Sequence, residues 1–274
     1  MSAAALSLEI ADRTWRVLLP GHDLSIPLRF DAAQPNFFGV PPATADVVRA
    51  GSFVGDVRQG GSCNCATYTV TPHCNGTHTE CVGHVTAEPD SVRDRITAAL
   101  MPALLVTVVP TLASTTPETS DPAPLDSDLL ITRTALAAAV EGGALDLCRA
   151  LIVRTEPNDP SKLQRQYGPQ EPPPFFSAEA MQWIVTAGIE HLVVDVPSLD
   201  RAEDGGKLTA HRIFWGMAPG ARSASVARRP HASITELAYI DAAIADGMYL
   251  LNLQIAPFVA DAAPSRPILL PLAS

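Results

Sequence analysis

Short runs of apolar and β-branched residues recur along the chain, and each run is bounded by proline, glycine or polar residues. Runs of this length and composition are typical of β-strands, because branched side chains pack well on a pleated sheet. The pattern predicts strands at residues 15–20, 65–72, 103–110, 148–155, 191–197 and 248–255. The chain is therefore expected to contain a substantial β-sheet.

The segments between these runs carry signals for helices. Helices are predicted at residues 90–100, 132–143, 177–188 and 236–247. Asp90 and Ser177 are favourable N-cap residues, and the second segment is rich in alanine and ends at glycine. Strands that alternate with helices predict an α/β fold, with a mixed β-sheet and flanking helices.

Three stretches show neither pattern and are expected to be long loops, at residues 113–128, 156–176 and 200–233. Loops of more than about 15 residues are uncommon in compact domains, and many of them carry functional residues. None of the three resembles a flexible linker, so residues 1–274 are expected to form a single domain.

The composition narrows the class of function. The chain has 29 acidic and 19 basic side chains, a net charge of −10, and this balance disfavours a nucleic-acid surface, which needs clustered Lys and Arg. The longest apolar run, residues 98–113, contains two prolines and is shorter than the roughly 20 residues that cross a membrane. The N-terminus lacks the basic region and apolar core of a signal peptide. We therefore expect a cytoplasmic protein that binds neither nucleic acid nor membrane.

The most unusual local pattern is PHCNGTHTECVGHV at residues 72–85, which holds three of the seven histidines of the chain. On a strand, His78 and Glu80 would point to the same face, because alternate residues do so. An imidazole and a carboxylate on one face form half of a site for Zn²⁺ or Mn²⁺. If the segment is extended throughout, Cys74 joins that face, His73 points away, and the thiolate favours zinc.

A second interpretation of the same stretch stays open. Asn75 and Gly76 form a strong signal for a β-hairpin turn, which would leave the polar residues merely exposed. Such a turn would remove the argument for Cys74 but would keep His78 and Glu80 on one face. The chain has no GxSxG, P-loop, GxGxxG or HExxH motif that would indicate another catalytic template.

The segment CNGTHTECVGH, residues 74–84, resembles the HxGTHxDxPxH motif of the bacterial kynurenine formamidase and cyclase family of metal-dependent hydrolases. Further segments resemble elements of that family in the same order along the chain: GHDLSIPL (21–28), RALIVRT (149–155), FFSAEAMQWIVTAGIEHLVVDVPSLD (175–200), AHRIFWG (210–216) and ITELAYI (234–240). Because the matches are ordered, the resemblance is more specific than a single motif would be.

The resemblance implies a swivelling β/β/α fold, assembly as a homodimer or homotetramer, and hydrolysis of a small-molecule amide or lactone, as with N-formylkynurenine and isatin. It also implies one or two divalent ions that activate water for attack on a carbonyl, with Zn²⁺ favoured and Mn²⁺ the alternative. Carried over by position, the implied metal ligands are Cys74, His78, Glu80, His211 and Glu236. The implied catalytic residues are His84 and Glu236, and His84 would shuttle a proton between water and the leaving amine.

Two positions depart from the family motif. Cys74 stands where the family has histidine, with His73 one place earlier, and Glu80 stands where it has aspartate. Cysteine and glutamate are both competent metal ligands. Because His73 directly precedes Cys74, the two residues are alternatives for the first ligand position of the motif. The number of bound ions stays open. The competing hypothesis is a non-catalytic family member that keeps the fold and a structural ion.

The segment DVPSLD, residues 195–200, follows a predicted strand at the end where α/β sheets commonly place their sites. Its aspartates and serine are expected chiefly to fix the loop through hydrogen bonds to the backbone. The aromatic residues Phe37, Phe38, Phe175, Phe176 and Trp215 are expected first of all to anchor the core or the loops, and some of them are candidates to line an aromatic-substrate pocket.

Overall fold

The computed structural model describes residues 6–10, 12–140 and 144–273. The strands are β1 (Ser7–Ile10), β2 (Arg13–Val17), β3 (His22–Asp23), β4 (Thr44–Val47), β5 (Arg49–Ala50), β6 (Phe53–Val54), β7 (Ala66–Thr69), β8 (His78–Glu80), β9 (Met101–Val108), β10 (Thr111–Leu112), β11 (Leu129–Ile131), β12 (Ala150–Thr155), β13 (Phe175–Phe176), β14 (His191–Val194), β15 (Ser233–Glu236), β16 (Gly247–Asn252), β17 (Ala262–Pro264) and β18 (Ile268–Ala273). The α-helices are α1 (Pro72–Asn75), α2 (Val92–Arg95), α3 (Arg133–Ala139), α4 (Ala178–Thr186) and α5 (Thr209–Trp215). Short 3₁₀ helices span Val57–Gln59, Val82–Val85, Ala113–Thr115, Ala144–Leu147, Pro160–Gln164 and Ala224–Val226.

One large mixed sheet organises the described part of the chain. Its strand order is β1-β2-β18-β16-β9-β12-β14-β15-β8-β17, and β3 pairs with β18. Neighbouring strands are parallel from β9 through β12 and β14 to β15, and antiparallel on both sides of this centre. The α/β fold with a mixed sheet that the sequence predicts is therefore confirmed.

Both faces of the sheet are covered, and the strand period of two decides which residue meets which layer. In β9, the side chains of Leu104 and Val106 pack in the apolar core that α4 and α5 complete. Ala103 and Leu105 belong to the core on the opposite face. The centre of the sheet is apolar on both faces, which is why the strands read as continuous apolar runs rather than as alternating ones.

Each predicted strand segment overlaps a strand, and three predicted helical segments contain a helix. Helix α4 begins where Ser177 Oγ accepts a hydrogen bond from the Ala180 N–H at 3.0 Å, as its N-cap position predicts. Segment 132–143 contains α3, and its last three residues lie outside the described ones. Segment 90–100 is helical only over the single turn of α2.

The helix predicted at residues 236–247 is wrong. Glu236 ends β15, and Leu237 turns the chain with a φ of 52°. The N–H groups of Leu237 and Ala238 then donate to the carbonyls of Val196 and Val194, each at 3.0 Å. Hydrogen bonds to a neighbouring strand thus replace those of a helix, and apolar residues such as Ala238 pack on the face opposite the helices.

The long loop predicted at residues 200–233 contains helix α5. Sequence signals for helix starts do not mark it, because its N-cap is Leu208, which has a φ of 49°. The first turn is instead held by Asp204, whose carboxylate accepts hydrogen bonds from the N–H groups of Gly206 and Leu208 at 2.7 and 2.6 Å. No helix in the described ranges combines the length and apolarity that crossing a bilayer requires.

Candidate metal centre

Strand β8 carries the first part of the site. It lies between β15 and β17 and is antiparallel to both, with His78 opposite Glu236. Residues directly opposite one another in an antiparallel pair share a face, and so do residues two apart on one strand. His78, Glu80 and Glu236 therefore project together from the face that α5 covers, and all three are buried. The same-face spacing expected for His78 and Glu80 is found.

Helix α5 adds His211 to these three residues, and we call the four residues the inner group. Glu236 lies between the two histidines, with Oε2 3.5 Å from His78 Nε2 and Oε1 3.3 Å from His211 Nε2. Glu80 Oε1 is 3.1 Å from His211 Nε2. Residues far apart in the sequence thus bring two imidazoles and two carboxylates together.

Hydrogen bonds at the Nδ1 atoms fix the orientation of the His78 and His211 imidazoles. His78 Nδ1 lies 3.1 Å from the carbonyl of Gly76, and His211 Nδ1 lies 2.6 Å from Asp200 Oδ2. An Nδ1–H that donates to these oxygens leaves the lone pair of Nε2 directed into the inner group. Asp200 also accepts from the N–H groups of Ala210 and His211, at 2.7 and 3.2 Å. This residue therefore fixes its loop, as expected, and in addition orients His211.

Several polar atoms that point into the site are buried without a hydrogen-bond partner. They are His73 Nε2, His78 Nε2, His211 Nε2 and both carboxylate oxygens of Glu80. Such atoms are rare in folded proteins, because burial without a partner costs free energy. A divalent cation would satisfy them together, and nitrogen and carboxylate oxygen are ligands that zinc and manganese accept. The residues present therefore fit a divalent ion.

The ionisation of Glu236 and His211 also favours a bound cation in the inner group. Burial favours a raised pKa for Glu236, but the nearby imidazoles of His211 and His78 outweigh it and hold that pKa well below its ordinary value. Burial likewise opposes the positive charge of His211, yet Glu80, Asp200 and Glu236 raise the pKa of its imidazole well above the ordinary value. The carboxylates are thus kept ionised and require a positive charge, which a bound cation supplies in place of a proton.

Cys74, the first ligand implied by the family motif, is not placed among these groups. Residues Pro72–Asn75 form a helical turn, so the same-face argument from an extended chain fails. Among the described residues, Cys74 belongs to no group of His, Cys, Asp or Glu whose ligand atoms lie within 4.8 Å of one another. Burial, followed by the charge of Glu236, also raises the pKa of its thiol, which disfavours the thiolate that binds metals.

His73 takes a place at the site instead. Its Nε2 lies 3.6 Å from Glu80 Oε2 and 3.2 Å from Asp261 Oδ2. Neighbouring residues of a helical turn point in different directions, so α1 directs His73 rather than Cys74 towards Glu80. The hairpin alternative, with exposed polar residues, also fails, because the side chains of His78 and Glu80 are fully buried.

His84 lies at the edge of the site in the 3₁₀ helix Val82–Val85. Its Nδ1 is 3.7 Å from Glu80 Oε2 and 3.5 Å from Asp261 Oδ2, and its side chain is 26% exposed. The ring stacks on that of His73, with a centroid distance of 4.6 Å. Among the described site histidines, His84 and His73 both face Glu80 and both keep part of the side chain exposed to solvent.

Sequence reasoning missed Asp261. This residue directly precedes β17, and its carbonyl accepts a hydrogen bond from the Cys81 N–H at 2.9 Å. The pKa of its carboxylate is lowered, first by the nearby imidazole of His73 and then by that of His84. Only the pairing of β17 with β8 brings Asp261 to the site, and no local motif in the sequence marks that pairing.

An aromatic cavity of about 520 Å³ lies close to the site. Its walls include Phe37, Phe38, Tyr167 and Phe175, so three of the five candidate aromatic residues line one cavity. The other two, Phe176 and Trp215, are fully buried in the core. The N–H of Phe37 donates to the carbonyl of Cys74 at 3.1 Å, which places this wall beside α1. The cavity can accept a flat apolar group, and its Phe37 wall adjoins the helical turn that carries His73.

The fold and the site together define the class of protein: an α/β protein with a mixed sheet and a buried cluster of histidine and glutamate ligands. Residues 22–201 match the family model called Putative cyclase. The match spans well over half of the chain, and the protein belongs to this family. No curated protein sequence matches the chain.

Solved structures share the fold at low sequence identity. The predicted metal-dependent hydrolase from Bacillus stearothermophilus superposes with a TM-score of 0.57 at 14% identity, over 93% of this chain and 98% of that chain. Isatin hydrolase A from Labrenzia aggregata, bound to benzyl benzoate, gives a TM-score of 0.55 at 15% identity, over 93% of each chain. An isatin hydrolase bound to the product analogue thioisatinate gives 0.55 at 12% identity, over 94% of this chain and 93% of that chain. At these identities, the likeness establishes the fold.

Proposed function

We propose that this protein is a divalent-metal-dependent hydrolase that cleaves amide C–N bonds of small molecules. The observation that carries the proposal is the convergence of buried nitrogen and carboxylate oxygen atoms that have no hydrogen-bond partner. His78, Glu80, His211 and Glu236 are the residues that would hold the ion. A divalent ion in this position supplies Lewis acidity, which polarises a carbonyl and makes water more acidic.

Zinc is the proposed ion and manganese the alternative. Two imidazole nitrogens and two carboxylates suit either ion, since both accept these ligands. The preference for zinc does not need the Cys74 thiol, which the helical turn of α1 keeps out of the ligand groups. Zinc is favoured because it binds more tightly than manganese to a given set of nitrogen and oxygen ligands.

The proposed substrates are aromatic amides, including formylated aromatic amines and cyclic amides, with lactones as a related class. The aromatic walls formed by Phe37, Tyr167 and Phe175 support this proposal, because flat apolar rings pack favourably against such side chains. The isatin hydrolase structures with the same fold support it as well, since isatin is a cyclic aromatic amide. Arg201, paired with Asp128 at 3.0 Å, gives the cavity a polar rim.

His84 is proposed to move the proton that amide hydrolysis requires. Its ring stands at the exposed edge of the site, and its Nδ1 faces the carboxylates of Glu80 and Asp261. Histidine suits this role because its ordinary pKa is close to neutral pH. A positioned acid–base group contributes typically about 10²–10⁴-fold to the rate, so His84→Ala should lower kcat by this order while the inner group keeps its ion.

The proposal is tested by metal analysis combined with an amide-hydrolysis screen. Purified protein should contain at least one zinc or manganese ion per chain and should hydrolyse formylated anilines or isatin-like cyclic amides. A chelator should abolish activity and added metal should restore it. His211→Ala should lose both ion and activity, whereas His231→Ala, in a loop outside the site, should keep both. Protein that never retains a divalent ion would contradict the proposal, and bound metal without turnover would favour the non-catalytic alternative.

A further inference from the structure

The aromatic cavity carries two hydrogen-bond donors that amide hydrolysis itself does not require. They are the guanidinium of Arg201 and the hydroxyl of Tyr167, and both residues line the cavity beside Phe37 and Phe175. Arg201 and Tyr167 lie outside the segments that resemble the family. The resemblance therefore does not imply what these two donors bind.

Arg201 is held in place from one side. Its Nε lies 3.0 Å from Asp128 Oδ2, and the same oxygen accepts the Leu125 N–H at 2.9 Å. Asp128 is buried, whereas the Arg201 side chain is 21% exposed. In the described part of the chain, this pairing through Nε is the contact that fixes the guanidinium, and no hydrogen bond involves its Nη atoms. Since a guanidinium presents its donors as a planar fork that matches a carboxylate, the Nη atoms can serve an anionic ligand.

Tyr167 supplies a neutral donor to the same cavity. The residue is 9% exposed, and its ring packs edge-on against that of Phe37 with a centroid distance of 6.2 Å. Among the described residues, none is hydrogen-bonded to its hydroxyl, although polar groups this deeply buried normally have a partner. Burial raises the pKa of the hydroxyl above its ordinary value. The hydroxyl therefore stays protonated and can donate to an acceptor in the cavity.

Two walls of the cavity adjoin segments that carry the inner group. Arg201 directly follows Asp200, whose carboxylate lies 2.6 Å from Nδ1 of His211. Tyr167 packs in one apolar cluster with Leu237, the residue that follows β15 and its inner-group glutamate. A ligand held by Arg201 and Tyr167 thus lies against the segments that would hold the ion.

We propose that Arg201 and Tyr167 select aromatic amides that carry a carboxylate, which they bind away from the amide to be cleaved. The inference rests on the proposed function and narrows its substrate class. A hydrogen bond from a guanidinium to a carboxylate is roughly twice as strong as one between neutral groups. Glu203 also lines the cavity, but it is exposed, so water and salt screen its repulsion of an anion.

The test compares two substrates that differ in charge and little in shape, 4-formamidobenzoate and 4-formamidobenzamide. Values of kcat/KM are measured for both with zinc-loaded wild type, Arg201→Gln and Glu203→Gln. We expect the wild type to prefer the carboxylate by about ten-fold or more, as the loss of a hydrogen bond to a charged group predicts. Arg201→Gln should lose this preference, whereas Glu203→Gln, the matched control from the same cavity, should keep it. The ratio of two rates on one protein cancels any loss of folded or metal-loaded enzyme.

Two further variants separate the charge from the geometry. Arg201→Lys keeps a positive charge beside Asp128 but lacks the planar fork, so it should keep only part of the preference. Tyr167→Phe removes the hydroxyl alone and should reduce the preference about three-fold; no reduction would remove Tyr167 from the assignment.

The outcomes separate this inference from the proposed function. An unchanged preference in Arg201→Gln would overturn the assignment, because the carboxylate would then be bound elsewhere, for instance by the ion. Equal rates on the two substrates in the wild type would overturn the selectivity and leave the hydrolase proposal standing. A wild type that hydrolyses neither substrate nor any other amide would contradict the proposed function, and this inference with it.

Discussion

At the scale of single residues, the site depends on aspartates that orient histidines. Asp200 contacts His211 Nδ1 at 2.6 Å and accepts two N–H groups at the start of α5. The carboxylate therefore fixes both the helix start and the tautomer of the imidazole. Asp200 does not touch Glu80, Glu236 or His78 in any described hydrogen bond, so it acts on the site through His211.

Replacing Asp200 tests this orienting role. Asp200→Asn should weaken zinc affinity by about 10–100-fold, the usual effect of losing the hydrogen bond behind a metal-binding histidine. Asp204→Asn is the control, because Asp204 holds the adjacent turn through backbone N–H groups and does not contact His211. Competition with a chromophoric chelator measures both affinities. Equal affinities in the two variants would show that Asp200 contributes only to the helix start.

Individual ligands differ in how far the sequence predicts them. His78 and Glu80 were predictable because their spacing fixes a shared face once the segment is a strand. The choice between His73 and Cys74 was not, because it depends on whether four residues form a helical turn. The sequence does not predict that Asp261 lies at the site, because its position comes from the pairing of β17 with β8 and not from any local pattern.

At the scale of elements, strand positions were more predictable than helix positions. The central strands are apolar on both faces, which leaves a clear signal in the sequence. The segment predicted as a helix, 236–247, carries apolar residues at helical spacings. Its backbone N–H groups at residues 237–239 instead donate to the carbonyls of Val196, Val194 and Leu24. Tertiary hydrogen bonds thus outweigh the local pattern in this segment. Helix α5 is not predicted for a different reason: the residue that holds its first turn, Asp204, lies outside the helix.

The loop between β12 and β13 depends on one buried ion pair. Lys162 Nζ lies 2.8 Å from Asp195 Oδ2 and also donates to the carbonyl of Thr155 at 2.8 Å. Both side chains are almost completely buried, so removing one partner leaves an uncompensated charge. Lys162→Met should lower the free energy of unfolding by about 3–5 kcal/mol.

The surface pair of Arg149 and Glu190 provides the comparison for Lys162. Arg149 is half exposed, and exposed ion pairs contribute only about 0–1 kcal/mol. Urea denaturation should therefore show a small change for Arg149→Met and a large one for Lys162→Met. A double variant with Asp195→Leu should recover part of the loss, and similar losses in both single variants would contradict the importance of burial.

At the scale of the whole molecule, the sheet joins ligands from separate parts of the chain. Strand β8 inserts between β15 and β17, which places His78 opposite Glu236 and brings Asp261 beside His73 and His84. Helix α5 covers the same face and adds His211. The resemblance to the family anticipated the residues of the inner group, whereas the antiparallel pairing that joins them required the structure.

A buried histidine in the sheet should make the fold sensitive to acid. Burial lowers the pKa of His191, on β14, from 6.5 to about 4, and its Nδ1 lies 2.8 Å from Ser233 Oγ. Above pH 6.5 the residue is neutral in both states and has no effect. Between pH 6.5 and 4 the unfolded chain takes up a proton that the folded chain does not, so the free energy of unfolding falls as pH falls.

The variant His191→Gln isolates this contribution. Between pH 7 and pH 5, the wild type should lose about 2 kcal/mol more of its free energy of unfolding than His191→Gln does. Replacement of the loop residue His231 by glutamine is the control for removing one histidine. Denaturant titrations of the three proteins at both pH values give the comparison. Parallel losses in wild type and His191→Gln would show that His191 is not responsible.

The central claim is that the inner group binds a divalent ion, and anomalous diffraction at the zinc absorption edge tests it most directly. Crystals grown with zinc should show the strongest anomalous peak among His78 Nε2, His211 Nε2 and the carboxylates of Glu80 and Glu236. Bond lengths of about 2.0–2.2 Å to these atoms are expected. A well-ordered site without a peak, with these four side chains hydrogen-bonded to one another instead, would contradict the account.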